Sequence, residues 1–363
     1  MGKKAGDSLF RRKDRKRIKQ RLQLGLLLKP SFLAVAISMV PPASLAVIEV
    51  PNRNSESRGE AGRALQPGEN RNQCELTADR QQTAFQLRDG FLIVVDGRIA
   101  SLSHLKFILD TGSTHSMIDT KIAAQLGLPK QSGAVLNFDH YAKIDWTNVP
   151  EMQFGPIDVR NVRMMVGSLE QFSQFANGID AVVGLDLLGR TQKLGIDFQA
   201  RQLTFGELRD RQYPIEAPPR ALTTLLEVQG RRLRLIVDTG LSQMVVFTDR
   251  LNAHAPDLKV LNEERAQEAR ISGEIATLPG IRIIPDSRAS VFLIDRAPQS
   301  LPENIDGFLG LKPLGVDFAE IDFGSETLTL RRPDMAPTIL ASDSKASKRI
   351  SEQENPEEHN PFR

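Results

Sequence analysis

Phe107-Ile108-Leu109-Asp110-Thr111-Gly112 is answered 128 residues later (110 to 238) by Leu235-Ile236-Val237-Asp238-Thr239-Gly240. In both places a β-type apolar run (Lys106 to Leu109; Arg234 to Val237) delivers a carboxylate, then a hydroxyl, then a glycine. Gly lets the backbone bend close to the carboxylate without a Cβ clash, and the Thr hydroxyl can donate to a neighbouring backbone group and fix the turn. One such tripeptide says little, because Asp and Gly are ordinary turn residues. Two, each at the end of an apolar strand, say much more.

Further landmarks repeat in the same order. Ala181-Val182-Val183-Gly184-Leu185 corresponds to Gly307-Phe308-Leu309-Gly310-Leu311. Ile196-Asp197-Phe198, ending in Leu203-Thr204-Phe205, corresponds to Ile321-Asp322-Phe323, ending in Leu328-Thr329-Leu330. The displacements are 126 (184 to 310) and 125 (197 to 322), close to the first, so the sequence predicts a duplicated unit. The short β-branched runs around these landmarks, punctuated by Gly, Pro, Asn and Asp, predict an all-β protein. Two units are expected, at 84–208 and 221–332, joined by a linker at 209–220 that contains Pro214, Pro218 and Pro219.

On these residues the chain resembles the aspartic peptidases, in particular the retropepsin-like group, over roughly 88–332. The first copy is the closer match: Asp110-Thr111-Gly112-Ser113-Thr114-His115-Ser116, followed by Ile122-Ala123-Ala124-Gln125-Leu126-Gly127-Leu128, resembles the family's active-site turn and the segment after it. The resemblance implies a bilobal acid-protease fold, with two similar β-barrel-like lobes related by a pseudo-twofold axis. It also implies catalysis by Asp110 and Asp238 and turn support from Thr111, Gly112, Ser113, Thr239 and Gly240. Because both lobes lie in one chain, an active monomer is implied, acting on a peptide or protein substrate. No metal or organic cofactor is implied. Val182-Val183-Gly184 and Phe308-Leu309-Gly310 resemble the strands that brace the catalytic loops in this family.

The two copies differ at one informative place. Ser113 stands three residues after Asp110, where a hydroxyl can support a carboxylate oxygen, but the matching position after Asp238 is Leu241. For the covering hairpins of the family, Asn137-Phe138-Asp139-His140-Tyr141-Ala142 and Ile271-Ser272-Gly273-Glu274-Ile275 occupy about the right places. Tyr141, Trp146 and Gly273 are the substrate-covering candidates, against the plainer reading of an aromatic in a strand-rich region as packing. A fold does not guarantee an activity, and a catalytically weak or inactive peptide-binding protein is the alternative.

The ends of the chain read differently. Residues 1–21 hold ten Lys or Arg against Asp7 and Asp14, a local charge of +8, so the rest of this +2 chain carries −6. A mildly acidic body gives no support for nucleic-acid binding. The basic stretch leads into Leu22 to Leu28, Lys29-Pro30, an apolar run from Ser31 to Val40, and a Ser44-Leu45-Ala46 ending of small-x-small form. This predicts an export signal over 1–46 and a periplasmic or secreted protein. An uncleaved anchor, giving membrane association through the N-terminus, is a second reading, and a cytoplasmic basic arm a third. Polar stretches at 47–83 and 333–363 are expected to be a disordered spacer and a disordered tail. Cys74 is the only cysteine, which leaves no intramolecular disulfide, and the five histidines show no paired metal-ligand spacing.

Overall fold

The computed structural model describes residues 74–76, 81–137, 140–170, 178–207, 221–268, 271–281, 283, 288–299, 301–333 and 335–341. The export signal expected at 1–46, most of the spacer, the 209–220 linker and the tail beyond Ala341 lie outside the described residues.

The first half begins with β1 (Cys74–Leu76), β2 (Gln82–Ala84), β3 (Gln86–Arg88), β4 (Leu92–Ile99), β5 (Leu102–Leu109) and β6 (Met117–Asp119). After helix α1 (Thr120–Gln125) come β7 (Gln131–Asn137), β8 (His140–Phe154), β9 (Ile157–Gly167) and β10 (Ala181–Val183). Helix α2 (Leu185–Leu188), β11 (Lys193–Asp197) and β12 (Gln202–Phe205) complete this half. The second half supplies β13 (Thr223–Val228), β14 (Arg231–Asp238), β15 (Met244–Phe247), α3 (Thr248–His254), β16 (Leu261–Glu268), β17 (Ile271–Pro279) and β18 (Arg288–Ile294). It ends with β19 (Gly307–Gly310), a 3-10 turn at Lys312–Leu314, β20 (Phe318–Asp322), β21 (Thr327–Arg332) and β22 (Met335–Ala341).

β5 alternates in the way a strand covered on both faces must. Phe107 and Leu109 enter the main core, whereas Ile108 faces a second cluster with Phe91, Met117 and Val182. β14 repeats this: Leu235 and Val237 join the main core, and Ile236 a third cluster with Leu241, Phe247 and Phe308. Each of these strands is flanked by a parallel brace, β10 beside β5 and β19 beside β14, with β6 and β15 antiparallel on the far side of the brace.

The first lobe's sheet runs β1-β9-β6-β10-β5-β4-β8-β7, and pairing of β8 with β9 closes it into a barrel. The second lobe runs β13-β14-β19-β15-β18-β17-β16. There, among the described residues, a bridge between Val228 and Ile281 stands where a ladder joins β4 to β8 in the first lobe. A six-stranded sheet, β2-β12-β11-β20-β21-β22, joins the lobes, with β11 and β20 antiparallel at its centre.

Two boundaries differ from the sequence reading. Within the expected spacer, Cys74–Leu76 pairs with β9 and Gln82–Ala84 with β12. Within the expected tail, Met335–Ala341 pairs with β21. All three are the outermost strands of their sheets; β1 and β2 have too few residues for an alternating pattern, and the apolar run of β22 is interrupted by Pro337.

Candidate active site

Asp110 directly follows β5 and Asp238 ends β14, and both are buried. Each turn folds back on its own carboxylate: Gly112 N–H donates to Asp110 Oδ1 at 2.9 Å, and Gly240 N–H to Asp238 Oδ1 at 2.8 Å. The glycines face the opposite acid. A Cβ on Gly112 would lie 2.2 Å from Asp238 Oδ2, and one on Gly240 would lie 2.9 Å from the Asp110 carboxyl carbon. Both positions therefore require glycine, and the two carboxyls meet across the lobe boundary.

The threonines do more than fix their own turns. Thr111 Oγ1 donates to the Val237 carbonyl at 3.0 Å and accepts from Thr239 N–H at 3.1 Å. Thr239 Oγ1 donates to the Leu109 carbonyl at 2.9 Å and accepts from Thr111 N–H at 3.1 Å. These four reciprocal bonds lock the turns together. The brace strands lie directly beneath. Asp110 N–H donates to Val183 O at 3.0 Å, and Asp238 is in register with Gly310. A Cβ on Gly184 or Gly310 would run into the backbone of the catalytic turn above it.

Asp180 and Asp306, which the sequence reading did not single out, tie each brace to its catalytic strand. Lys106 N–H donates to Asp180 Oδ2 at 2.7 Å, and Arg234 N–H to Asp306 Oδ2 at 2.8 Å. Their 126-residue displacement (180 to 306) repeats that of the glycines, and this was the signal available to find them.

The two acids are electrostatically unequal. Burial raises the Asp110 pKa, against opposing hydrogen bonds from Asp238 and from the Gly112 and Ser113 backbone. Burial, and next the charge of Asp110, hold Asp238 well above the usual carboxylate range. Two carboxyls buried side by side cannot both ionise without cost, so the pair holds a proton between them. The Ser113 hydroxyl donates to His115 O at 2.7 Å, and its backbone N–H supports Asp110. The corresponding Leu241 is buried in the third apolar cluster.

The covering candidates are placed as follows. Two hairpins, β7–β8 and β16–β17, stand at the ends of the two lobe sheets. Tyr141 pairs through its backbone with Leu136 near the tip of the first, and its side chain lies outside the described residues. Trp146 is not a covering residue. It is buried in the second cluster, with its ring edge-on to His115 at 5.3 Å and the Arg163 guanidinium 4.9 Å from its centroid. Gly273 is not at a tip either: it pairs with Ala266 and packs so tightly on β18 that a Cβ would meet Leu293 O at 2.2 Å. In both cases close packing in the sheet, not exposure over a cleft, accounts for the residue.

Residues 95–187, from within β4 through the first catalytic turn into α2, match the family model described as aspartyl protease. Among solved structures, the chain is similar to a retropepsin-like aspartic protease from Rickettsia conorii, at 17% identity over 37% of this chain and 91% of that one, with a TM-score of 0.25. No curated protein matches the chain. The likeness first carried by Asp110 and the residues after it is thus met, over residues 95–187, by an aspartyl protease family model, within a chain whose described residues are mostly β-strand.

Proposed function

We propose that the protein is an aspartic endopeptidase in which Asp110 and Asp238 activate one water molecule. The observation that carries this reading is the meeting of the two carboxyls, each packed against the other turn's glycine and each raised by burial beside the other. The ionised member of the pair acts as general base on a water held between them, while the protonated member donates to the scissile carbonyl oxygen. Water attacks the amide carbon directly, and the proton taken up by the base passes to the leaving nitrogen as the C–N bond breaks. With one carboxyl from each lobe, the active form is a monomer, and its substrate is a peptide or protein.

The test is incubation of the purified protein with a diverse peptide mixture from acidic to neutral pH. Cleavage is expected, and Asp110→Asn or Asp238→Asn should lower it by about 10²- to 10⁴-fold. Unchanged cleavage in both variants refutes the dyad. Leu241, which leaves Asp238 without the counterpart of Ser113, favours a second reading as a peptide-binding protein of weak or absent activity. Binding without cleavage in the same assay would establish that reading instead. The basic, then apolar, N-terminus supports export, and N-terminal sequencing of the mature protein tests it.

A further inference from the structure

Behind the Asp110 turn lies a side-chain network with no counterpart among the described residues of the second lobe. Ser116, six residues after Asp110, donates its backbone N–H to Asp186 Oδ2 at 3.0 Å and its hydroxyl to Asp186 Oδ1 at 2.6 Å. The same hydroxyl accepts from Gly184 N–H at 3.0 Å. Gly184 is the brace residue on which the His115 and Ser113 backbone rests, and Leu185 N–H donates to Ser113 O at 2.8 Å. The Asp110 loop is thus closed at its near end by backbone bonds to β10 and at its far end by one carboxylate.

At the corresponding positions of the second lobe, Ser116 is replaced by Met244 (116 to 244, the displacement of the two catalytic acids) and Asp186 by Lys312 (186 to 312, that of the brace glycines). Met244 is fully buried in the core, and Lys312 reaches across to the first lobe, donating to Asp89 O at 3.3 Å over the Phe91 ring. There Gly310 N–H donates to the Gln243 carbonyl, and apolar packing around Leu241 and Val245 does the rest. One turn is held by a polar network that a single substitution can release. The other is held by backbone and core.

We propose that Asp186 is a positioning residue of the active site: through Ser116 it fixes the far end of the Asp110 turn and so sets the separation of the Asp110 and Asp238 carboxyls. The charged groups around it are His115, on the turn itself, and Arg190, whose Nε donates to the Asp186 carbonyl at 3.0 Å; Arg163 lies beyond His115, against Trp146. Asp186 touches no reacting atom in this scheme and acts only through Ser116. The kinetic part of the test rests on the peptidase reading; the titration part does not.

The experiment compares wild type, Asp186→Asn, Ser116→Ala and the double variant in the full chain. The carboxyl titrations of Asp110 and Asp238 are followed by carbon-13 NMR, and kcat and KM are measured across pH. Coupling between two carboxyls weakens as they separate, so the expected result is a narrower gap between the pair's two titration steps in each single variant. A fall in kcat on the order of tenfold with KM nearly unchanged should accompany it, and the double variant should add little to either single one. A gap equal to that of wild type, including the case where both steps shift together because a nearby charge was removed, overturns the proposal. So does strict additivity. If Asp186→Asn does not fold, Ser116→Ala decides by the same criterion. If no form cleaves peptide, the peptidase reading fails, and the titration gap still decides the role of Asp186.

Discussion

Thr111 and Thr239 each place a hydroxyl on the other lobe's backbone, at 3.0 Å to Val237 O and 2.9 Å to Leu109 O, while each accepts the other's N–H. Both residues are buried. Thr111→Val keeps the shape but leaves a carbonyl and an N–H without partners away from water, a loss of about 1–3 kcal/mol. Denaturant unfolding should show that loss, with Thr111→Ser close to wild type. A Val variant as stable as wild type would mean that the clasp contributes nothing.

The shared proton makes stability depend on pH in a definite sense. Asp110 and Asp238 are both raised by burial, so between the ordinary carboxylate range and their folded values the native state holds more protons than the unfolded chain. Their contribution is complete below the unfolded pKa and declines as pH rises through the folded values. Each unit of displacement corresponds to about 1.4 kcal/mol. Asp238→Asn has no proton to lose there, so its melting temperature should fall less between acidic and neutral pH than that of wild type. At neutral pH it should be the more stable protein, though inactive. Parallel melting curves would contradict this.

Gly112 and Gly240 are not equivalent in clearance. An added Cβ lies 2.2 Å from Asp238 Oδ2 in one case and 2.9 Å from the Asp110 carboxyl in the other. Gly112→Ala must therefore displace the opposite acid further, and misplacement of a reacting group by about 1 Å can lower rate by about 10²-fold. Peptide cleavage should fall more in Gly112→Ala than in Gly240→Ala. The reverse order would show that the turns themselves move to absorb the methyl.

Leu241→Ser tests whether restoring the missing hydroxyl matters. In the first lobe the Ser113 hydroxyl donates to His115 O, so a hydroxyl at 241 should reach the Gln243 carbonyl. The expected outcome is a loss of stability of about 2–4 kcal/mol from the vacated apolar site, with little change in the dyad's titration. A clear fall in the Asp238 pKa would instead show that the new hydroxyl bonds the carboxyl.

Much of this arrangement is legible in the sequence because the chain states it twice. The apolar runs before Asp110 and Asp238, and the glycines at 184 and 310, recur at nearly the same displacement, and each pair does the same job in both lobes. What the repeat could not expose is what only one copy contains. Ser116 and Asp186 have Met244 and Lys312 as counterparts, so no internal comparison points to them. The threonine clasp was hidden for another reason: Asp-Thr-Gly reads locally as a turn, and its partner lies 128 residues away. Trp146 and Gly273 were misplaced because residue type alone does not tell a packed strand from a hairpin tip. β1 and β2 escaped because three residues show no alternation, and β22 because Pro337 interrupts its apolar run.

The central pairing of β11 with β20 is the seam between the two halves. Lys193 meets Asp322 in this ladder and Asp197 meets Phe318, one strand from each half lying antiparallel to the other. Were the gene cut at the linker, each fragment would present a bare strand margin able to pair with an identical one, turned end for end. The seam asks only for backbone pairing between the two strands, so the halves it joins can differ in sequence, as Ser116 and Met244 do, while it stays closed.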